Sequence, residues 1–152
     1  MKYYNYLIKN FKDEKFQIAF KMYFDELGIA VKDWGKLFQD MNDENNNLAY
    51  VRADEFGNIV GFILFTVIPF SSCFFRTDMG FIREFWIKSD SRGLGHGTEL
   101  LKRAEAYFLT QNIHRSILTT DSAEVFYIKN GYQKDCYILA NNGDTVLIKA
   151  LD

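Results

Sequence analysis

Along residues 11 to 27 (FKDEKFQIAFKMYFDEL), apolar side chains return at Phe16, Ala19, Phe20, Tyr23, Phe24 and Leu27. That three-and-four spacing predicts a helix with one apolar face, ending at Gly28. A second helix is predicted within 31 to 41 (VKDWGKLFQDM), and the polar run NDENNN at 42 to 47 reads as a loop. The pattern then changes period. Leu48 to Ala53 and Ile59 to Phe70 are strand-like, and DEFGN between them supplies the residues of a tight turn, so a β-hairpin is expected. Pro69, the sole proline, falls near the end of the second strand, where a missing backbone donor disturbs least. A connecting loop is expected over 71 to 80 and a third strand over 81 to 88. From Thr98 to about Gln111, Leu100, Leu101, Ala104, Tyr107 and Phe108 restore helical spacing. A strand at 115 to 119, a helix at 122 to 130 ended by Gly131, and strands around 132 to 140 and 145 to 150 complete the chain. This order predicts an α+β fold over 1 to 152 as one domain, a mixed sheet with helices packed on it and a helical N-terminal third.

Composition narrows the class of function. The chain has 152 residues, 48% hydrophobic and 25% charged, the balance of a soluble globular domain. A net charge of −2, with the basic residues scattered, gives none of the electrostatic footprint that nucleic acid binders carry. Aromatic residues reach 17%, which fits a packed core or an aromatic-walled pocket, with the core the commoner outcome for any one ring. The first residues, MKYYNYLIKNF, lack a signal-type apolar segment, and IVGFILFTVIPF at 59 to 70 is too short to span a bilayer, so a cytoplasmic protein without membrane association is expected. Cys73 and Cys136 stand far apart with no CxxC spacing, so both are expected as free thiols and no metal site is expected.

The residues with legible chemistry lie between the third strand and the long helix. KSDSRGLGHGT at 88 to 98 holds three glycines in five positions. Glycines at a strand-to-helix junction let the chain turn sharply and let a ligand approach the backbone, and the amides opening the helix favour an anion. The pattern therefore reads as a phosphate cradle. A P-loop requires lysine before the terminal threonine, and here His96 and Gly97 precede Thr98. A dinucleotide fingerprint started by Gly93 and Gly95 meets Thr98 where its third glycine belongs. A loop shaped by glycine for purely structural reasons is the remaining reading.

R-x-x-G-x-G is met by Arg92, Gly95 and Gly97, and the surrounding FWIKSDSRGLGHGTELL resembles the GNAT acetyltransferase superfamily. A second signature of that family, N-x-x-A-x-x-(F/L)-Y-x-K-x-G-(F/Y), is matched by Ala123, Phe126, Tyr127, Lys129, Gly131 and Tyr132, with Thr120 in the place of asparagine. The resemblance is specific from about 81 to 132 and architectural over 1 to 47. It implies a GNAT fold and direct transfer of an acetyl group from acetyl-CoA to a primary amine of a small molecule, peptide or protein. Two other readings stay open, a non-catalytic acyl-CoA-binding regulatory module and transfer of a longer acyl group. Homodimerisation is open as well.

The resemblance also implies roles. Backbone groups at Trp86 and Ile87 are expected to bind the pantetheine arm, with the Ile87 amide polarising the carbonyl. Amides of Arg92, Gly93, Leu94, Gly95, His96, Gly97 and Thr98 are expected at the pyrophosphate, and Thr120 and Tyr127 near the cofactor. His96 is expected to be a bystander to the chemistry. Tyr127 is the candidate general acid, since a phenol can protonate a departing thiolate. Glu84 is the candidate general base. Strand alternation places it on the face of Ile82 and Trp86, and a carboxylate inside an apolar strand needs a reason, whether catalytic or as an ion pair with Arg83 or Arg103.

Overall fold

A computed structural model describes residues 1 to 44 and 46 to 152. Its elements in chain order are β1 (Tyr3–Ile8), α1 (Glu14–Leu27), α2 (Trp34–Asp43), β2 (Leu48–Asp54), β3 (Ile59–Ser71) and β4 (Arg76–Ile87). There follow α3 (His96–Thr110), β5 (Arg115–Thr120), α4 (Glu124–Lys129), β6 (Gln133–Lys134) and β7 (Thr145–Ala150). The strands form one seven-stranded sheet in the order β1-β2-β3-β4-β5-β7-β6.

The continuous apolar run of β3 is explained by burial on both faces. Phe62 and Leu64 enter one core with Phe16, Phe20 and Phe38 of α1 and α2. Ile63 and Phe65 enter a second core with Leu100, Leu101 and Phe108 of α3. Period-two alternation thus divides neighbouring residues between two layers. The N-terminal aromatics are packing residues: the Phe16 ring meets Phe11, Phe20, Phe38 and Phe62 at centroid distances from 4.8 to 6.1 Å. α1 is opened by the Asp13 carboxylate, which accepts from the Phe16 amide, and closed by Gly28 at φ 71°.

Four expectations change. The N-terminal third contains a strand, because β1 is an edge strand in which only Ile8 is buried, so it carries no clean alternation. The predicted loop at 71 to 80 is mostly strand: β4 begins at Arg76, paired opposite Ser71, and the turn closes where the Ser72 amide donates to the Phe75 carbonyl. Backbone pairing with β3 carries the ladder through side chains too polar to announce a strand. α2 runs on through Asn42 and Asp43, taking the start of the predicted NDENNN loop, whose Asn45 lies outside the described residues. The strand expected around 132 to 140 shrinks to Gln133–Lys134, because the Asp135 carboxylate turns the chain by accepting from the amides of Tyr137 and Ile138.

Two irregularities prepare the site. All neighbouring strands are antiparallel except β4 and β5, which run parallel and pair only at Gly80 with Ser116 and Phe81 with Ile117. Beyond those pairs β4 follows β3 and β5 follows β7, leaving a wedge in the sheet. The bulge in β4 lies at the mouth of that wedge: Phe65 faces Ile82 and Leu64 faces Glu84, so Arg83 is extra. That extra residue reverses the alternation. Ile82 points to the α3 side, whereas Glu84 and Trp86 point to the α1 side, so the expected shared face for all three holds only for the last two.

Candidate active site

The wedge opens into a cleft of about 610 Å³. One wall is the end of β4, at Phe85, Trp86 and Ile87; the floor is the loop from Ser91 into the first turn of α3; the other wall is Ser122, Ala123, Phe126 and Tyr127. Most of the predicted cofactor residues meet here: Trp86, Ile87, Arg92, Gly93, Gly95, His96, Gly97, Thr98 and Tyr127 all line it. Leu94 and Thr120 are not among the lining residues. Leu94 is largely exposed. The Thr120 hydroxyl accepts from the Ala123 amide at 3.0 Å and so shapes the turn into α4.

The floor is built to admit an anion. Gly93 and Gly95 adopt φ of 78° and 87°, conformations closed to most side chains, and open space surrounds the position a Cβ would take at either. Gly95 precedes α3 with no side-chain cap, so the amides opening the helix have no intrahelical partner and lie along the cleft. Gly97 serves a different need, since a Cβ there would touch the Phe126 ring at 3.2 Å.

Under this floor lies a network that sequence reading did not find. His96 is buried, and its Nδ1 accepts from Arg52 Nε at 2.9 Å, while Arg52 Nη1 donates to Asn5 at 3.0 Å. The Arg52 guanidinium also covers the Tyr3 ring. His96 thereby joins β1, β2 and the phosphate-type loop, a supporting role for the expected bystander. Burial first, then the Arg52 charge, lowers its basicity below that of an ordinary imidazole. With the folded-state value depressed, the unfolded chain binds the extra proton more readily, so stability is full above the ordinary value near 6.5 and declines as pH falls below it. Thermal unfolding at pH 7.5 and 5.5 should therefore show a larger drop for the wild type than for His96→Gln; equal drops would remove the assignment.

At the other wall, Tyr127 is 8% exposed, its ring held by Phe85, Phe126 and Tyr132. Among the described residues no side chain or carbonyl hydrogen-bonds its hydroxyl, yet that oxygen is not sealed from solvent, which leaves it available to the cleft. Burial pushes its pKa up to about 12, so the phenol keeps its proton throughout the neutral range.

Glu84 does not line the cleft. It sits on the α1 side, where Tyr23 donates to Oε2 at 2.6 Å, while Arg83 is held by Glu44 and Asn47. The expected structural pairing with Arg83 or Arg103 is thus replaced by a phenol from α1. Burial first, then the Glu84 carboxylate, raises the Tyr23 hydroxyl far above an ordinary phenol, with smaller effects from Tyr127 and Asp121. Tyr23 carried one local signal, a polar atom on an otherwise apolar helix face. Its partner, 61 residues away, carried another, a carboxylate inside an apolar strand, but nothing in either segment linked the two.

The sequence profile described as "Acetyltransferase (GNAT) family" matches residues 7–132. A search of curated protein sequences finds no match. Solved structures resemble the chain over nearly its whole length at low identity. A Klebsiella pneumoniae protein assigned as an acyl-CoA N-acyltransferase is 21% identical, with 99% of this chain and 98% of that one covered and a TM-score of 0.72. A predicted acetyltransferase from Clostridium acetobutylicum, solved with acetyl-CoA, is 20% identical over 91% and 95% of the two chains, at a TM-score of 0.72. NAA60 of Arabidopsis thaliana, solved with a bisubstrate analogue, is 9% identical over 99% of each chain, at a TM-score of 0.73. Such identities speak for the fold, and the profile, covering most of the sequence, speaks for the family. A parallel pair of strands parting over a glycine loop and an uncapped helix, in a chain that the profile matches from 7 to 132, makes this protein a member of the GNAT acetyltransferase family.

Proposed function

We propose that the protein transfers an acetyl group from acetyl-CoA directly to a primary amine of a small molecule or a peptide. The observation that carries this reading is the wedge between β4 and β5, which has an anion-binding floor at one end and a free phenol at the other. The residues fit coenzyme A: open space beside Gly93 and Gly95 admits a pyrophosphate to the backbone, and Trp86 and Ile87 offer a strand end to a pantetheine arm. Bound acetyl-CoA supplies the thioester whose acetyl group is transferred.

The chain's own groups do the rest. Amides at the start of α3, reinforced by the helix dipole, hold the diphosphate without any lysine. The Ile87 amide is the proposed donor to the carbonyl oxygen as negative charge gathers there. An alkyl ammonium near pKa 10.4 is neutral in only about one molecule in a few thousand at pH 7, a penalty of about 4 to 5 kcal/mol. Glu84 is the proposed acceptor of that proton, through water, with Tyr23 holding its other oxygen. As the new C–N bond forms and the C–S bond breaks, the Tyr127 hydroxyl hydrogen-bonds the departing sulfur, the second proton of the amine passes to water, and the released thiolate takes a proton from solvent.

The deciding experiment is a panel of primary amines with acetyl-CoA, reading free thiol. Acetylation of at least one amine with thiol release is expected; release without acetylated product, or none at all, defeats the reading. On the amine found, Glu84→Gln should lower kcat/KM about tenfold. That is less than the hundredfold or more of a base in direct contact, because the proton leaves through water. An unchanged value would remove Glu84 from the mechanism and leave transfer itself standing.

A further inference from the structure

Glu26 stands in the last turn of α1, next to Asp25, with no basic residue in that turn. A carboxylate there faces the negative end of the helix dipole, so the helix itself does not favour it. Its partners lie elsewhere. Oε2 accepts from the Trp86 indole at 2.8 Å, and Arg92 Nη2 reaches both carboxylate oxygens at 2.9 and 2.8 Å. The same Arg92 donates from Nε to the Ile87 carbonyl at 2.8 Å. Glu26 thus closes a ring through the end of β4 and the first residue of the glycine loop. Trp86, Ile87 and Arg92 all line the cleft, and Glu26 does not.

We propose that Glu26 is a positioning residue for the cofactor loop: by holding Arg92 and the Trp86 indole, it fixes the upstream end of the glycine loop so that the loop amides are set for the diphosphate. This rests on the reading of that loop as the coenzyme A site. Gly93, Gly95 and Gly97 give the segment the most costly backbone freedom to lose on ordering. Downstream, α3 anchors it. Upstream, only the short 3-10 turn Ser89–Ser91 separates it from β4, and that turn has no side-chain cap. Arg92 is therefore the natural anchor, and its guanidinium is held by Ile87 and Glu26 rather than left for phosphate. The ion pair is partly exposed, with side chains 52% and 34% accessible, so alone it adds little to stability. Its effect is expected in geometry, as preorganisation of the ligand site.

Calorimetric titration with coenzyme A tests this on the whole protein, without any knowledge of the acceptor. Glu26→Ala should weaken the Kd about tenfold, the scale of one lost charge-assisted hydrogen bond. Glu26→Gln should weaken it less, since its amide oxygen still accepts from the indole. The loss in the double variant Glu26→Ala with Arg92→Ala should be smaller than the sum of the two single losses, because the contact between Glu26 and Arg92 is common to both. A lowered Tm with an unchanged Kd in both Glu26 variants, or fully additive losses in the double variant, overturns the proposal while the cofactor reading stands. A wild type that binds no coenzyme A removes both.

Discussion

Tyr127→Phe should lower kcat about a hundredfold on whichever amine the protein acetylates, while the Kd for coenzyme A stays within about twofold. The substitution removes one oxygen and leaves the ring in its contacts with Phe85, Phe126 and Tyr132, so packing and cleft shape are retained. What is lost is the proposed donor to the sulfur. A thiolate with a pKa near 8.5 is a weaker base than a phenolate at about 12, so full proton transfer to a free thiolate is uphill by roughly 3.5 units, about 5 kcal/mol. In the proposed mechanism the phenol therefore acts while the C–S bond is breaking, by hydrogen-bonding the sulfur as charge builds, and the effect is expected in kcat. Steady-state kinetics with both substrates near saturation read it directly. A variant with full kcat would show that the sulfur leaves without Tyr127.

Gly61→Ala is expected to destabilise the fold by about 3 kcal/mol, the upper part of the range for overpacking, and to lower Tm by roughly 6 to 12 °C. Gly61 lies in β3 opposite Ile87, and a Cβ on it would run into the Trp86 carbonyl and the Ile87 side chain and Cα. Two of those groups are backbone and cannot turn aside. The strand end that must shift to make room is the cleft wall, so coenzyme A affinity should fall together with Tm. Gly57→Ala is the control. It has φ of 84° but open space around it, so it carries only the strain of a left-handed residue, about 1 kcal/mol, with no effect on the cleft. Calorimetric unfolding of the two variants beside the wild type decides; equal, small shifts would show that β4 yields without cost.

Where side-chain pattern and local chemistry act together, the sequence was readable. Phe16, Ala19 and Phe20 with Gly28 defined α1, the β2–β3 hairpin fell where its turn residues lay, and R-x-x-G-x-G marked the loop where Gly93 and Gly95 take positive φ. Legibility failed where backbone pairing or distant contact decided. β1 is an edge strand with little to bury, the first half of β4 is extended by β3 rather than by its own side chains, and the Arg83 bulge reversed the face of Ile82 without any mark in FIREFWI.

The same division holds for the site. By itself the sequence marked the loop proposed for the cofactor, because phosphate recognition uses backbone amides, and glycines at close spacing are the local trace of exposed backbone. It also marked Tyr127, which lines the cleft, through a motif that lies in α4 and the few residues on either side of it. Only the tertiary structure decided what surrounds those groups. Tyr23 reaches Glu84 across 61 residues, Glu26 reaches Arg92 across 66, and Arg52 reaches His96 across 44. Each of these is a side-chain hydrogen bond made possible when α1 and α3 close on the sheet, and a bond between remote residues leaves no periodicity in either one's neighbourhood.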